Sequence, residues 1–201
     1  MPNAPEPLVP ELKSQVPAQG NALTRGFGRL MLRLLGWKVK GELPDVPKAV
    51  FAAAPHTSNW DFILAMFAVL AMGVKISYLM KKEAFIWPLR SVFLWLGGIP
   101  LDRSAAADTV EQISGWFSNS ERLWVVITPE GTRSRVPKWK TGFLRVAHRA
   151  DVPVVLVAWD FPSKTMHIDR LWHCSGDHEL DAEQIRAYIC KTYRGRHPQL
   201  Q

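Results

Sequence analysis

From residue 48 onward, short apolar runs alternate with stretches of helical spacing. Residues 48–53, 75–80, 123–128 and 153–159 are apolar runs of strand length, rich in Val, Ile and aromatic residues, and read as buried strands. Between them, 60–72 and 109–117 repeat their apolar positions with the period of a helix. This alternation predicts an α/β domain, a central largely parallel or mixed sheet flanked by helices. Residues 165–170 add one more strand, and Asp181 with Gln184, ahead of Ile185, Tyr188 and Ile189, predicts a capped terminal helix.

The N-terminal part follows a different pattern. Leu23, Phe27, Leu30, Met31, Leu34 and Leu35 share one helical face, while Arg25, Arg29 and Arg33 run along another. Trp37 and Lys38 close the segment, so 23–41 is expected to be an amphipathic, membrane-associating helix lying flat among lipid headgroups. A helix packed on the domain with a solvated basic face would produce the same stripe, and Gly26 and Gly28 weaken the helix in either case. Residues 1–22, with five prolines and no apolar stretch ahead of a cleavage site, are expected to form a mobile tail rather than a secretory signal. Residues 42–201 then make up the main domain. The longest apolar run, 62–74, is shorter than the ~20 residues needed to span a bilayer.

Composition narrows the partners. The chain of 201 residues carries 25 Lys and Arg against 18 Asp and Glu, a net charge of +7, which fits an anionic bilayer or phosphorylated small molecules. No long Lys/Arg run points to nucleic acid. Nine Trp and nine Phe suit large cores, lipid pockets and membrane interfaces alike. The only cysteines, Cys174 and Cys190, have no disulfide-framework spacing, so a reducing, cytoplasmic location is expected, peripheral at the inner face of the membrane.

Two blocks carry the candidate chemistry. The strand ending at Ala54 and Pro55 would put His56 at its mouth, and Ser58 would cap a helix whose first turn holds Asp61. A neutral imidazole can take a proton from a hydroxyl, and a carboxylate on its other ring nitrogen fixes tautomer and orientation. Ser58 and Asp61 also satisfy the spacing of a capping box, which needs no catalysis. The second block, Thr128 to Ser134, follows another strand. Gly131 permits close backbone approach, Arg133 can fork onto phosphate oxygens, and Thr132 and Ser134 add hydroxyls. Glu130 is expected to order this loop or bind an acceptor hydroxyl. Gly97 to Arg103 offers another arginine after a strand, and Lys138 and Lys140 extend the basic lining. No GxSxG elbow marks a serine nucleophile, so the attacking hydroxyl is expected to come from the substrate. His173, Cys174 and His178 lack a clear fourth ligand and do not define a metal site.

Taken together and in this order, His56-x4-Asp61, Gly98 to Arg103, Pro129 to Ser134 and Val152 to Val157 resemble the four motifs of the glycerolipid acyltransferase family that includes 1-acyl-glycerol-3-phosphate acyltransferases. The resemblance covers residues 48–160, and its first and third motifs are the specific ones. It implies transfer of a fatty acyl group from a coenzyme A or acyl-carrier-protein thioester to a hydroxyl of a lysophosphatidic-acid-like acceptor. His56 would be the base and Asp61 its orienter, with Arg103, Glu130, Gly131, Thr132 and Arg133 binding the acceptor. No metal or tightly held cofactor is implied. Pro55 stands where the family often has Asn, Thr128 where it often has Phe, and Leu156 where it often has Pro. These departures leave other lipid alcohols open as acceptors, and a non-catalytic lipid-binding module or a thioester hydrolase as other readings of the same residues.

Overall fold

The computed structural model describes residues 6–101 and 109–201. Among these, seven strands form one sheet: β1 (Lys38–Gly41), β2 (Lys48–Ala53), β3 (Ser77–Lys81), β4 (Gly98–Leu101), β5 (Leu123–Ile127), β6 (Val154–Asp160) and β7 (Thr165–Trp172), in the order β1-β7-β6-β2-β5-β3-β4. Every pairing is parallel except β6 with β7, which are joined by a tight turn and run antiparallel, so the sheet is mixed. β2 is paired on both edges, and its near-continuous apolar sequence follows from burial on both faces.

Strand periodicity divides the core into two layers. Ala49, Phe51 and Ala53 face one side with Val155, Val157 and Trp159; Val50, Ala52 and Ala54 face the other with Val154, Leu156 and Ala158. The first face is covered by helices α1 (Ala22–Leu35) and α2 (Asn59–Met72), the second by α4 (Thr109–Ser118), α5 (Gly142–Ala150) and α6 (His178–Thr192). A short helix, α3 (Leu89–Trp95), precedes β4. Gly28 lies where α1 crosses α2: a Cβ there would come within 2.4 Å of the Ala71 amide nitrogen and 2.7 Å of the Phe67 carbonyl oxygen. The glycine that weakens the helix in isolation is thus what lets the two backbones approach.

Three sequence expectations are corrected. The segment 23–41 is not one helix: α1 ends at a left-handed Gly36, and residues 38–41 become the edge strand β1, tied to β7. Helix α6 starts earlier than Asp181, with Asp177 as its cap. Asp181 is instead buried, accepting bonds from the Trp172 ring N–H (3.2 Å) and the Ser175 amide (2.8 Å). The described part of the N-terminal segment, residues 6–21, lies against the domain. Val9 and Val16 are buried, and Ala18 bridges to Val74, because this proline-rich segment carries enough apolar residues to cover the end of the core.

Candidate active site

β2 and β5 are parallel neighbours, with Ala52 in register with Ile127, so the loops leaving their C-terminal ends emerge side by side. In open α/β sheets this edge is where ligands sit. The loop after β2 carries His56, and the loop after β5 carries Glu130 to Arg133. Seventy-four residues apart in sequence, the His56 amide donates to Glu130 Oε1 at 2.8 Å.

The turn from β2 into α2 is built around one carboxylate. Asp61, fully buried, accepts the amides of Thr57 (2.8 Å) and Ser58 (2.7 Å) on Oδ2 and the Ser58 hydroxyl (3.1 Å) on Oδ1. Ser58 in turn caps α2, accepting the Trp60 amide at 3.1 Å. The same Asp61 Oδ2 lies 3.2 Å from His56 Nδ1. That ring nitrogen is buried and has no other partner among the described residues, and the contact has ion-pair distance without hydrogen-bond alignment. The capping box and the close contact to the imidazole therefore share one side chain. The indole of Trp159, on β6, stands 6.4 Å from the imidazole centroid and closes the inner side.

Glu130 is the second buried carboxyl at this sheet edge. Burial pushes it up to about 7, against the opposing pull of the His56 amide, and its Oε2 has no partner among the described residues. An acid raised on folding binds more protons folded than unfolded between its two pKa values. Its stabilising contribution is complete below about 4.5 and is lost as pH rises through about 7. Glu130→Gln keeps an oxygen for the His56 amide but cannot ionise. Relative to this variant, the wild-type chain should lose about 3 kcal/mol of stability between those limits. Denaturant unfolding across pH 4.5 to 8 measures this, and parallel curves for the two proteins would refute it.

The rest of the second block is more open. Gly131 has a left-handed φ of 64°, closing a turn in which its amide donates to the Thr128 carbonyl at 3.0 Å. Thr132 accepts the Ser134 amide at 3.3 Å and is otherwise exposed. Arg133 is exposed and reaches an open cleft of about 420 Å³, lined also by Ser58, Asn59, Trp60, Arg196 and His197. The cleft thus adjoins His56 through the first turn of α2, although His56 is not among its lining residues. Arg186 of α6 steadies the loop beyond, donating to the carbonyls of Pro137 (2.6 Å) and Val136 (3.2 Å).

His56, Asp61 and Glu130 therefore converge, and Arg133 joins the first turn of α2 in the adjoining cleft. Arg103 lies outside the described residues. His178 pairs with His148 at 2.9 Å rather than meeting His173 and Cys174 around a common centre. Sequence reasoning missed Trp60, Trp159, Arg196 and His197. The cluster from Arg194 to His197 is visibly basic, but nothing in its spacing ties it to a strand end 140 residues earlier.

The family model described as Acyltransferase matches residues 37–159, which holds His56, Asp61 and the whole second block. Among solved structures, the 1-acyl-sn-glycerophosphate (LPA) acyltransferase PlsC from Thermotoga maritima has a similar fold, with a TM-score of 0.61 at 20% identity over 83% of this chain and 75% of that one. No curated protein matches.

Proposed function

Because this chain belongs to the acyltransferase family, we propose that it moves a fatty acyl group from coenzyme A or acyl carrier protein to the hydroxyl of a lysophosphatidic-acid-like lipid. The single observation that carries this reading is the meeting of His56 and Asp61 at the C-terminal sheet edge, next to a cleft lined by Arg133, which has no carboxylate partner among the described residues. With Nδ1 turned to Asp61, Nε2 is the nitrogen left for the acceptor. It takes the hydroxyl proton as the oxygen attacks the thioester carbonyl, and Asp61 balances the positive ring. The C–S bond then breaks, the thiolate leaves with the proton from His56, and an oxygen ester remains. Arg133 holds the acceptor's anionic end, a role Arg103 would share by the family resemblance.

We place this reaction on an anionic membrane, at the cytoplasmic face. On α1, Leu23, Phe27, Leu30 and Leu34 are all more than half exposed, although the Phe27 ring also meets Phe67 of α2 edge-on at 6.0 Å. What α1 buries against α2 is Gly28 and Leu32. Ahead of α3, Ile86 (62%) and Trp87 (90%) are exposed as well. Arg29 and Arg33 flank the α1 stripe, as lipid phosphates would require. No described helix is long and apolar enough to cross a membrane.

One experiment tests the reading. Purified protein is incubated with labelled acyl thioester and lipid alcohols carried in anionic vesicles, with product mass analysis and sedimentation read from the same tubes. Acyl ester should form on a phosphate-bearing acceptor. Protein should pellet with the vesicles, and a Phe27→Glu/Leu30→Glu variant should stay in the supernatant. Free fatty acid released without acceptor dependence would make the protein a hydrolase, and vesicle binding without thioester consumption would make it a lipid-binding module. Pelleting of the double variant like wild type would remove α1 as the anchor.

A further inference from the structure

The cleft next to His56 is finished by a segment that lies beyond the family match. After α6, the chain turns back over the β2–α2 loop and is fastened to that loop and to the end of β6. The Arg194 carbonyl accepts the Phe161 amide (2.9 Å), the Arg194 amide donates to Asp160 Oδ1 (3.2 Å), and the His197 amide donates to the Thr57 hydroxyl (3.2 Å). Gly195 is pressed so closely on this loop that a Cβ would come within 2.8 Å of Thr57 Oγ1. The terminal Gln201 spans the turn, accepting from the Gly195 amide (3.1 Å) and donating to the Tyr193 carbonyl (2.7 Å).

This fastening sets Arg196 on the wall of the cleft that Arg133 also lines. Its guanidinium lies 5.3 Å from the centre of the Trp60 ring, a cation–π arrangement that holds the side chain without neutralising it. Among the described residues neither Arg196 nor Arg133 has a carboxylate partner, yet both line the same cleft. Two uncompensated guanidinium groups at one opening call for an anion that can accept from both.

We propose that Arg196 is a specificity-determining residue which, together with Arg133, grips the phosphate monoester of the acceptor. The inference rests on the acyl-transfer reading of the neighbouring histidine. In a glycerol phosphate the anion is only a few bonds from the reacting hydroxyl, and the cleft begins two residues after His56. The phosphates of coenzyme A, in contrast, lie at the far end of its pantetheine arm.

The test measures binding without turnover. The full chain and its Arg196→Gln, Arg196→Lys and Arg133→Gln variants are titrated calorimetrically with a short-chain lysophosphatidate, with the matching monoacylglycerol, and with coenzyme A. Arg196→Gln should weaken lysophosphatidate about 10-fold or more and leave monoacylglycerol unchanged, and Arg196→Lys should recover part of the loss. Equal lysophosphatidate affinity in wild type and Arg196→Gln overturns the proposal, as does absence of wild-type binding. A matching loss for monoacylglycerol would reduce Arg196 to a structural role, and a loss confined to coenzyme A would assign it to the donor; either result also overturns it. Failure of transfer to every acceptor would sink the acyl-transfer reading while leaving the binding result intact.

Discussion

Replacing His56 with alanine should lower acyl transfer by a factor on the order of 10² to 10⁴, the usual contribution of a positioned general base. Folding should survive. Among the described residues the imidazole makes one close polar contact, to Asp61, and that carboxylate keeps its three other donors when the ring is gone. The main-chain bond from residue 56 to Glu130 is also independent of the side chain. Initial rates at saturating thioester and acceptor, alongside a thermal melt, separate the two effects. A variant that melts like wild type and also turns over like wild type would remove His56 from the chemistry.

The second large effect is expected at Asp61, where substitutions of different kinds should part company. Asparagine retains an oxygen for the Thr57 and Ser58 amides, so Asp61→Asn should fold with a loss of about 1.5 to 3 kcal/mol for the weakened charged hydrogen bonds. It cannot stabilise a positive imidazole, and its rate should fall on the order of 10² to 10⁴, like that of the histidine variant. Asp61→Ala removes every acceptor at once. It leaves buried amides unsatisfied at about 1 to 3 kcal/mol each and breaks the cap of α2, so this protein should melt far lower. If Asp61→Asn melted lower but kept its full rate, the carboxylate would serve only as the helix cap.

Much of this was legible along the chain. β2 and β6 are buried on both faces, and their sequences are unbroken apolar runs that declare themselves without reference to neighbours. His56, Ser58 and Asp61 were legible because their interactions are local: a cap, a turn and an imidazole within five residues. Residues 38–41 misled because Trp37 and Val39 continue an apolar rhythm after Gly36 has already ended the helix, and a four-residue edge strand has too little sequence to announce itself. Helix α5, from Gly142 to Ala150, was not foreseen: Thr141 makes no side-chain cap bond, and the basic residues before it read as surface lining. Asp181 has the spacing of a helix cap, and what overrides that is a partner on β7, the Trp172 ring.

The sequence alone determined the α/β class, the histidine–aspartate pair and the loop carrying Arg133, since each is written in short-range spacing. Only the tertiary structure decided that β2 and β5 lie side by side and so bring Glu130 beneath the His56 backbone. It also decided that Leu23, Phe27, Leu30 and Leu34 of α1 stay exposed while Leu35 packs on the core, and that the C-terminal turn delivers Arg196 to the cleft. Strand order and the return of a terminal segment depend on contacts between residues far apart in the chain, and no periodicity within either segment encodes its partner.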